Sequence, residues 1–320
     1  MPRHPSFVPS GVIPAVLLPF TADLEIDEPA FRAHLEDVAA TPGLAALTVN
    51  AHSTEAASCT FDEQRRVMDI TMATVGDRLP VVHGVYAEGS LEGARIARQA
   101  ADAGASALLV FPPGPFTLGH RPAMVVEHFK RIADAAGDVP IIAFNYPLAI
   151  NQGYTTEMII ELGEAVPTVR AIKDWCNVPV QHERNIRALQ SLPRPINVLS
   201  THSSWLYPSL VLGCKGLLSG SGSVIPDLQA ELFAAVERND LAEARRLNDR
   251  IYPLAEVFYA PPAVDMHNRM KEALVLMGKL RCAAVRPPLA KIPADEIARI
   301  KAALERAGLI GSAPKRVAAE

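Results

Sequence analysis

Residues 140–144 read Pro-Ile-Ile-Ala-Phe and residues 169–172 read Val-Arg-Ala-Ile, and between them Thr155 precedes an amphipathic stretch over residues 156–165. Both runs are too short for a helix and too continuously apolar for a half-exposed strand, as is typical of parallel strands buried on both faces. The stretch between them begins with a polar residue of the kind that starts helices. This segment therefore predicts a strand, a helix and a second strand.

The same unit recurs along the chain. Short runs rich in Val, Ile, Leu and Ala lie at residues 12–18, 44–49, 80–85, 107–111, 140–144, 169–172, 196–199 and 216–218. Helix start signals stand between the runs, including the capping-box spacing of Thr60 and Glu63. Eight such units predict an α/β fold, a closed (β/α)8 TIM barrel, which typically takes about 250 residues. An open doubly wound sheet is the alternative.

The chain continues beyond the eighth unit with stretches that read as helices, at residues 241–259, 268–277 and 294–307. They are too many for the barrel and too few for a core of their own. We therefore expect a catalytic barrel over residues 8–240 and a helical C-terminal appendage over residues 241–308, which packs on the barrel or on a neighbouring subunit. A disordered tail is expected over residues 309–320.

Composition and charge favour a globular protein that acts on small molecules. The chain has 320 residues, of which 49% are hydrophobic and 21% are charged. Its formal net charge is −4 and no basic cluster is longer than a pair, which argues against nucleic acid or an anionic membrane as the main partner. No apolar run approaches the roughly 20 residues of a membrane helix, and residues 1–10 lack the apolar core of a signal peptide. A cytoplasmic location is therefore expected.

The four cysteines, Cys59, Cys176, Cys214 and Cys282, are widely spaced along the chain. They form no short cysteine or histidine pair with the spacing of metal ligands. We therefore expect free thiols in a reducing compartment, and no metal site.

Lys173 is the first candidate for chemistry. The active site of such a barrel lies at the C-terminal ends of its strands, and of the eight lysines only Lys173 directly follows an apolar run. Lys215 precedes its strand, and the other six lie on predicted helices, their flanks or the tail, where a solvated lysine is normal. A partly desolvated amine is a nucleophile that can form a Schiff base with a ketone or aldehyde. A structural ion pair with the adjacent Asp174 is the alternative.

Three other strand ends carry polar residues. After the second strand, residues 50–55 read Asn-Ala-His-Ser-Thr-Glu, in which the hydroxyls of Ser53 and Thr54 and the backbone amides can hold a carboxylate. Asn145, Tyr146 and Pro147 follow the fifth run. Residues 219–223 read Ser-Gly-Ser-Gly-Ser at a helix start, where either a phosphate cradle or a simple tight turn explains them.

These segments resemble the motifs of the dihydrodipicolinate synthase and N-acetylneuraminate lyase family. Residues 11–20 are similar to its first strand, 50–55 to its Gly-Thr-Thr-Gly-Glu signature, 144–147 to its Tyr-Asn-x-Pro, 171–174 to its Schiff-base lysine motif and 216–219 to its Gly-Val-Ile-Ser. The matches occur in family order, and the resemblance covers about residues 8–308.

The resemblance implies a pyruvate-linked class I lyase or aldolase, usually a homotetramer, that works through a covalent imine without a metal or an organic cofactor. It implies that Lys173 is the imine lysine and that Ser53, with the backbone amide of His52 or Ser53, binds the carboxylate of the 2-oxo acid. It also implies a backbone carbonyl of Leu218 near the imine, and a structural role for Asn145 in the turn after strand five.

The chain differs from the family at the position of the residue that transfers protons. Phe144 stands at the position of the family's proton-relay tyrosine, and His52 replaces the first threonine of the signature. We expect His52 to act as the general acid and base, since an imidazole exchanges protons near neutral pH. Filling space or hydrogen bonding to substrate is the alternative. Tyr146 is a second candidate, which shares the face of Phe144 if the strand continues, although Pro147 indicates a turn.

The far side of the predicted pocket also departs from the family. Ala149 stands where dihydrodipicolinate synthases have an arginine that holds a second carboxylate, so we do not expect true dihydrodipicolinate synthase activity. Trp175 and His202 are candidates for the pocket lining, with packing as the alternative for Trp175. Phe144, Ala149 and Trp175 together predict a less polar distal pocket.

The sequence thus favours a Schiff-base lyase or aldolase that acts on pyruvate or another 2-oxo acid through Lys173. A dehydratase or hydratase-aldolase of the same family is an alternative, as is a barrel that binds a 2-oxo acid without turnover. A phosphate-handling barrel that uses residues 219–223 is a third reading. The expected partners are a small-molecule 2-oxo acid and further copies of the chain, as a tetramer or dimer.

Overall fold

The computed structural model describes residues 2–311, and its centre is a barrel of eight parallel strands. The strands are β1 Gly11–Pro14, β2 Leu47–Val49, β3 Val81–Val85, β4 Ala107–Val110, β5 Ile141–Asn145, β6 Val169–Asp174, β7 Asn197–Ser200 and β8 Gly216–Ser219. Each strand from β2 to β7 pairs in parallel with the next, and β8 pairs in parallel with β1. Backbone hydrogen bonds from Ala45 to Val12 and from Val16 to Thr48 bring β1 and β2 together. The predicted (β/α)8 TIM barrel is confirmed.

A helix follows each strand. These helices are α1 Glu28–Ala39, α2 Phe61–Thr74, α3 Ser90–Asp102, α4 Pro122–Ala136, α5 Thr156–Ala165, α6 Pro179–Leu189, α7 Leu206–Val211 and α8 Pro226–Glu237. The predicted capping box is present at α2, where the Thr60 hydroxyl accepts from the Glu63 amide and the Glu63 carboxylate accepts from the Thr60 amide. The Thr155 hydroxyl likewise caps α5. None of the helices of residues 2–311 is long and apolar enough to cross a membrane.

The core has two parts, because strand residues alternate between the inside and the outside of the barrel. One cluster fills the interior, with Ile13, Val82, Leu109, Ile142, Ala171, Leu199 and Leu218 among its members. A larger cluster fills the space between the strands and the helices. At the C-terminal end of the barrel the interior cluster becomes aromatic, with Phe111, Phe144 and Tyr146. This end of the barrel holds the site described below.

Strand β6 is longer than its apolar run predicts. Lys173 pairs with Phe144 of β5 and Leu199 of β7, so the lysine belongs to the strand rather than to the loop after it. Asp174 is the last residue of the strand and points to the opposite face. The two neighbours in sequence therefore enter different surroundings.

Three more helices follow the barrel: α9 Leu241–Phe258, α10 Met266–Leu276 and α11 Ala294–Arg306. Helix α10 lies beside the turn after β8, at the C-terminal end of the barrel. Its Lys271 is fully buried, and its ammonium donates to the carboxylate of Glu55 and to the carbonyl of Ala284. The expectation that every lysine on a predicted helix is solvated is therefore wrong for Lys271. Of the predicted tail, residues 309–311 follow α11, and residues 312–320 lie outside the described residues.

Candidate active site

A cavity of about 200 Å³ opens at the C-terminal ends of the strands. Its walls come from two parts of the chain. The barrel contributes His52, Ser53, Phe144, Lys173, Trp175 and Thr201, and the C-terminal helices and their connection contribute Tyr259, Ala263, Met266 and His267. The appendage thus closes the pocket of the same chain.

Lys173 lies inside this cavity with 7% of its surface exposed. Its Nζ lies 4.1 Å from the centroid of the Phe144 ring, and no ion pair within residues 2–311 involves it. Burial lowers the pKa of Lys173 from its ordinary value to about 7, because the charged form loses its hydration. A large fraction of the amine is therefore neutral and nucleophilic near neutral pH.

Asp174 is not the partner of Lys173. Its Oδ1 accepts from the side chain of Asn145 at 3.0 Å, and its Oδ2 accepts from Asn185 at 3.1 Å and lies 2.8 Å from Nδ1 of His182. Burial alone raises the pKa of this carboxyl, but the hydrogen bond and the charge of His182 outweigh burial, and the pKa falls to about 2. The carboxylate therefore stays charged behind the strand. Asn145 also accepts from the Tyr154 amide at 2.8 Å, so it joins β5, β6 and the following loop outside the cavity.

The turn after β2 brings one hydroxyl into the cavity and turns another away. Ser53 is 1% exposed, and its Oγ has no hydrogen-bond partner within residues 2–311. Thr54 is not part of the lining: its hydroxyl accepts from the Ala51 amide at 2.7 Å and donates to the Ala51 carbonyl at 3.1 Å. Because an unpartnered buried hydroxyl is costly, Ser53 is suited to bind a ligand, whereas Thr54 holds the turn.

His52 and Tyr146 form a pair next to Phe144. Nε2 of His52 lies 3.2 Å from the Tyr146 hydroxyl, and the rings of Tyr146 and Phe144 are 4.3 Å apart between centroids. Tyr146 therefore shares the interior face of Phe144, although β5 ends at Asn145. Burial, followed by the charge of Lys173, lowers the pKa of His52 to about 3, and burial raises the pKa of the Tyr146 phenol. Both side chains are neutral near neutral pH.

The remaining predicted residues divide between the cavity and the core. Trp175 lines the cavity and meets the Tyr146 ring edge-on, with the centroids 5.5 Å apart. Leu218 is fully buried in the barrel interior. His202 does not line the cavity: it is 1% exposed and its Nε2 accepts from the Asn177 amide at 3.2 Å. Neighbouring residues of an extended chain point to opposite sides, and Thr201, one residue before His202, is the one that faces the cavity.

His267 lines the cavity and was not predicted. It lies in the first turn of α10, 9% exposed, and none of the hydrogen bonds of residues 2–311 engages its ring. Burial, followed by the charges of His52 and Lys173, lowers its pKa well below the ordinary range. A side chain at Gly220 would place its Cβ 3.0 Å from Nε2 of His267, so glycine leaves room for the ring. A lone histidine on a C-terminal helix has no spacing relation to the strand ends that sequence reasoning could use.

The serine- and glycine-rich segment after β8 uses its hydroxyls internally. Ser219 and Ser221 are 3.0 Å apart, and Nε2 of Gln229 donates to both hydroxyls. The hydroxyl of Ser223 donates to the carbonyl of Gly220 at 2.7 Å. A phosphate at this turn would have to displace these bonds, which disfavours the phosphate reading.

A model of the dihydrodipicolinate synthetase family matches residues 8–307. The chain belongs to this family. The predicted resemblance is thereby confirmed, and with it the expectation of an enzyme of the lyase class.

Individual family members are similar over most of their length. The 4-hydroxy-tetrahydrodipicolinate synthase of Desulfotalea psychrophila is 30% identical over 302 residues, which cover 94% of this chain and 97% of that protein. The synthase of Salinibacter ruber is 34% identical over 243 residues, covering 76% and 78%. The crystal structure of YagE, a family prophage protein from Escherichia coli K12, was solved in complex with pyruvate. It matches with a TM-score of 0.86 at 24% identity, over 94% of this chain and 99% of YagE, and this likeness shows the shared fold.

Proposed function

We propose that this protein is a lyase that forms an imine between Lys173 and pyruvate or another small 2-oxo acid. The observation that carries the proposal is the buried, unpaired amine of Lys173, whose pKa of about 7 leaves it neutral in the cavity that also holds the unpartnered hydroxyl of Ser53. Family membership and the pyruvate complex of YagE support this choice of substrate.

Imine formation follows from the neutral amine. Nζ of Lys173 attacks the carbonyl carbon, and a proton moves from nitrogen to oxygen to give a neutral carbinolamine. The carbinolamine hydroxyl takes up one proton from solvent and leaves as water, which gives a protonated imine. The Ser53 hydroxyl donates to the carboxylate of the 2-oxo acid and fixes its orientation. The positively charged imine then accepts the electron pair of a bond that breaks between the third and fourth carbons of the bound acid. An aldehyde leaves, the resulting enamine takes up a proton, and water releases pyruvate and the amine.

Proton movement beside the imine needs a group other than Phe144, which has no proton to give. We assign this role to Tyr146 and His52 together. Because the pKa of His52 is about 3, an imidazolium is disfavoured, but the neutral ring is able to accept a hydrogen bond from the Tyr146 phenol. The pair acts as acid and base through this hydrogen bond, with the substrate hydroxyl as the proton donor in the cleavage direction.

The second substrate is proposed to lack a second carboxylate. Among the described residues that line the cavity, Lys173 is the one lysine or arginine, and the distal wall consists of Trp175, Tyr259 and Met266 with small polar residues. Losing an arginine that pairs a substrate carboxylate costs about 2 to 5 kcal/mol of binding. We therefore propose an aldehyde without a second carboxylate, and not the substrate of a true dihydrodipicolinate synthase.

A dehydratase or hydratase-aldolase is the second candidate, and His267 favours it. A dehydratase must assist the departure of a hydroxyl, and the unengaged ring of His267, which is neutral because burial lowers its pKa, can donate a hydrogen bond to that hydroxyl in the same cavity. The two candidates differ in products: cleavage releases an aldehyde and pyruvate, whereas dehydration retains every carbon of the acid.

Borohydride reduction in the presence of pyruvate tests the imine. We expect peptide mass spectrometry to find the reduced pyruvate adduct on Lys173, and no adduct in Lys173→Arg. Lys215→Arg, an exposed lysine before β8, is the matched control and should be trapped like the wild type. Absence of the adduct, while a family synthase is trapped under the same conditions, rejects the imine mechanism. Trapping without turnover of any 2-oxo acid would instead indicate a binding barrel.

A further inference from the structure

A second polar cluster lies behind β6, on the face opposite to the cavity. Its members are Asp174 at the end of β6, Cys176 two residues later, His182 on α6 and His202 after β7. All four side chains are buried, at 1% exposure or less. One ligand atom from each lies within 4.8 Å of all the others.

Two of the distances between these ligand atoms are close to those of a tetrahedral metal site. Sγ of Cys176 lies 3.7 Å from Oδ2 of Asp174 and 3.7 Å from Nε2 of His202. Bonds of about 2.3 Å to sulfur and about 2.0 to 2.1 Å to nitrogen or oxygen place the ligand atoms of tetrahedral zinc roughly 3.3 to 3.6 Å apart. Nδ1 of His182 and Oδ2 of Asp174, at 2.8 Å, would have to separate by roughly half an ångström.

The ligand atoms already take part in hydrogen bonds. Nδ1 of His182 lies 2.8 Å from the Asp174 carboxylate, and Nε2 of the same ring lies 2.8 Å from the Ser209 hydroxyl. The lone pair of Nε2 of His202 accepts from the Asn177 amide at 3.2 Å. A bound cation would replace the proton between His182 and Asp174 and the Asn177 amide at His202, since metal ligands must be deprotonated.

Neighbouring side chains hold two of the proposed ligands in place. Asn145 and Asn185 orient the Asp174 carboxylate, and Ser209 orients the His182 ring through its other nitrogen. Such outer hydrogen bonds commonly fix the ligands of a bound metal. A divalent cation would balance the charges of one carboxylate and one thiolate, so the buried site would be neutral.

We propose that Asp174, Cys176, His182 and His202 bind one zinc ion, which joins the end of β6 to α6 and to the segment after β7. One thiolate, two imidazoles and one carboxylate suit zinc, and four protein ligands make a closed structural site. The ion would lie behind the strand that carries Lys173. It therefore holds Lys173 and Trp175 in place and takes no part in the imine chemistry.

Metal analysis of the wild-type protein, purified without chelators from zinc-supplemented cells, tests the proposal. We expect about one zinc per chain, with one sulfur and three nitrogen or oxygen ligands in X-ray absorption at the zinc edge. Cys176→Ser should lose most of the zinc. Cys214→Ser is the matched control, since Cys214 is also buried, with its sulfur 3.5 Å from a backbone carbonyl, and lies outside the cluster.

The wild-type measurements decide the question even if Cys176→Ser fails to fold. Zinc at background level, together with no thiolate charge-transfer band after exchange into cobalt, would overturn the proposal. So would stoichiometric zinc bound through a ligand set without sulfur, or full zinc retention in Cys176→Ser. Trapping of pyruvate at Lys173 is an independent readout, so loss of the zinc proposal leaves the proposed function intact.

Discussion

Two buried lysines in this protein have opposite environments. Lys271 on α10 is fully buried and paired with the Glu55 carboxylate, whereas Lys173 on β6 is 7% exposed and has no carboxylate partner within residues 2–311. Burial lowers the pKa of both amines, but at Lys271 the charge of Glu55 opposes the shift. Burial with a partner makes a lysine structural, and burial without one makes a nucleophile.

Removing the amine of Lys173 should have the largest effect on turnover. Lys173→Arg retains a positive charge but not a nucleophile that can be neutral near pH 7, so we expect turnover to fall at least about a thousandfold. The fold should be retained with some loss of stability, because the guanidinium stays charged at a buried position where residues 2–311 offer it no carboxylate partner. A steady-state assay measures the turnover, and a denaturant titration measures the free energy of unfolding. Activity within tenfold of the wild type would place the reaction elsewhere.

Substitutions at His52 and Tyr146 should lower turnover without preventing imine formation. His52→Ala and Tyr146→Phe are each expected to lower turnover by about 10²- to 10⁴-fold while the pyruvate adduct at Lys173 still forms. The double variant should be little worse than either single one, since the two side chains act as a unit. Unchanged turnover in His52→Ala would refute a role for His52 in proton transfer.

Substitution of the paired lysine, Lys271, should lower the stability of the fold rather than the rate of the reaction. Lys271→Met leaves the buried Glu55 carboxylate without its cation, which is expected to cost about 3 to 5 kcal/mol of unfolding free energy. Adding Glu55→Gln should restore part of the loss. Equilibrium denaturation measures both, and a loss below about 1 kcal/mol in Lys271→Met would show that the ion pair is dispensable.

Ser53→Ala should give the smallest change. The hydroxyl has no hydrogen-bond partner among residues 2–311, so stability should be nearly unchanged. Loss of one hydrogen bond to a carboxylate is expected to raise KM for the 2-oxo acid by about ten- to a hundredfold, with a smaller change in kcat. A matched substitution, Thr54→Ala, should instead destabilise the turn after β2. Equal KM values for wild type and Ser53→Ala would remove Ser53 from the binding site.

Sequence patterns were sufficient for the barrel and for the position of Lys173 at the C-terminal end of one of its strands. Continuous apolar runs predict buried parallel strands from the local sequence alone, and Lys173 directly follows one of these runs. The sequence did not show that β6 extends through Lys173 and Asp174, because ladder pairing with β5 and β7 decides this. It also did not show that the appendage delivers His267 to the cavity, since that depends on long-range packing.

Clusters of residues that are distant from one another in the sequence were the hardest part to predict. His202 follows a strand, as an active-site residue would, but alternation places it behind the barrel with Cys176 and His182. The cysteine spacing predicts no metal site, because ligands from two strand ends and a helix leave no short repeat in the sequence. The homo-oligomeric state and the cytoplasmic location stay predictions.

The pH dependence of borohydride trapping by pyruvate tests the central claim most directly. If Lys173 is a buried, unpaired amine, the initial rate of adduct formation at Lys173 should rise with pH and reach half its maximum near the pKa of about 7, since the neutral amine is the nucleophile. Lys271 should carry no adduct at any pH. A rate that rises only toward the ordinary pKa of a solvated lysine, about 10.4, would contradict the account.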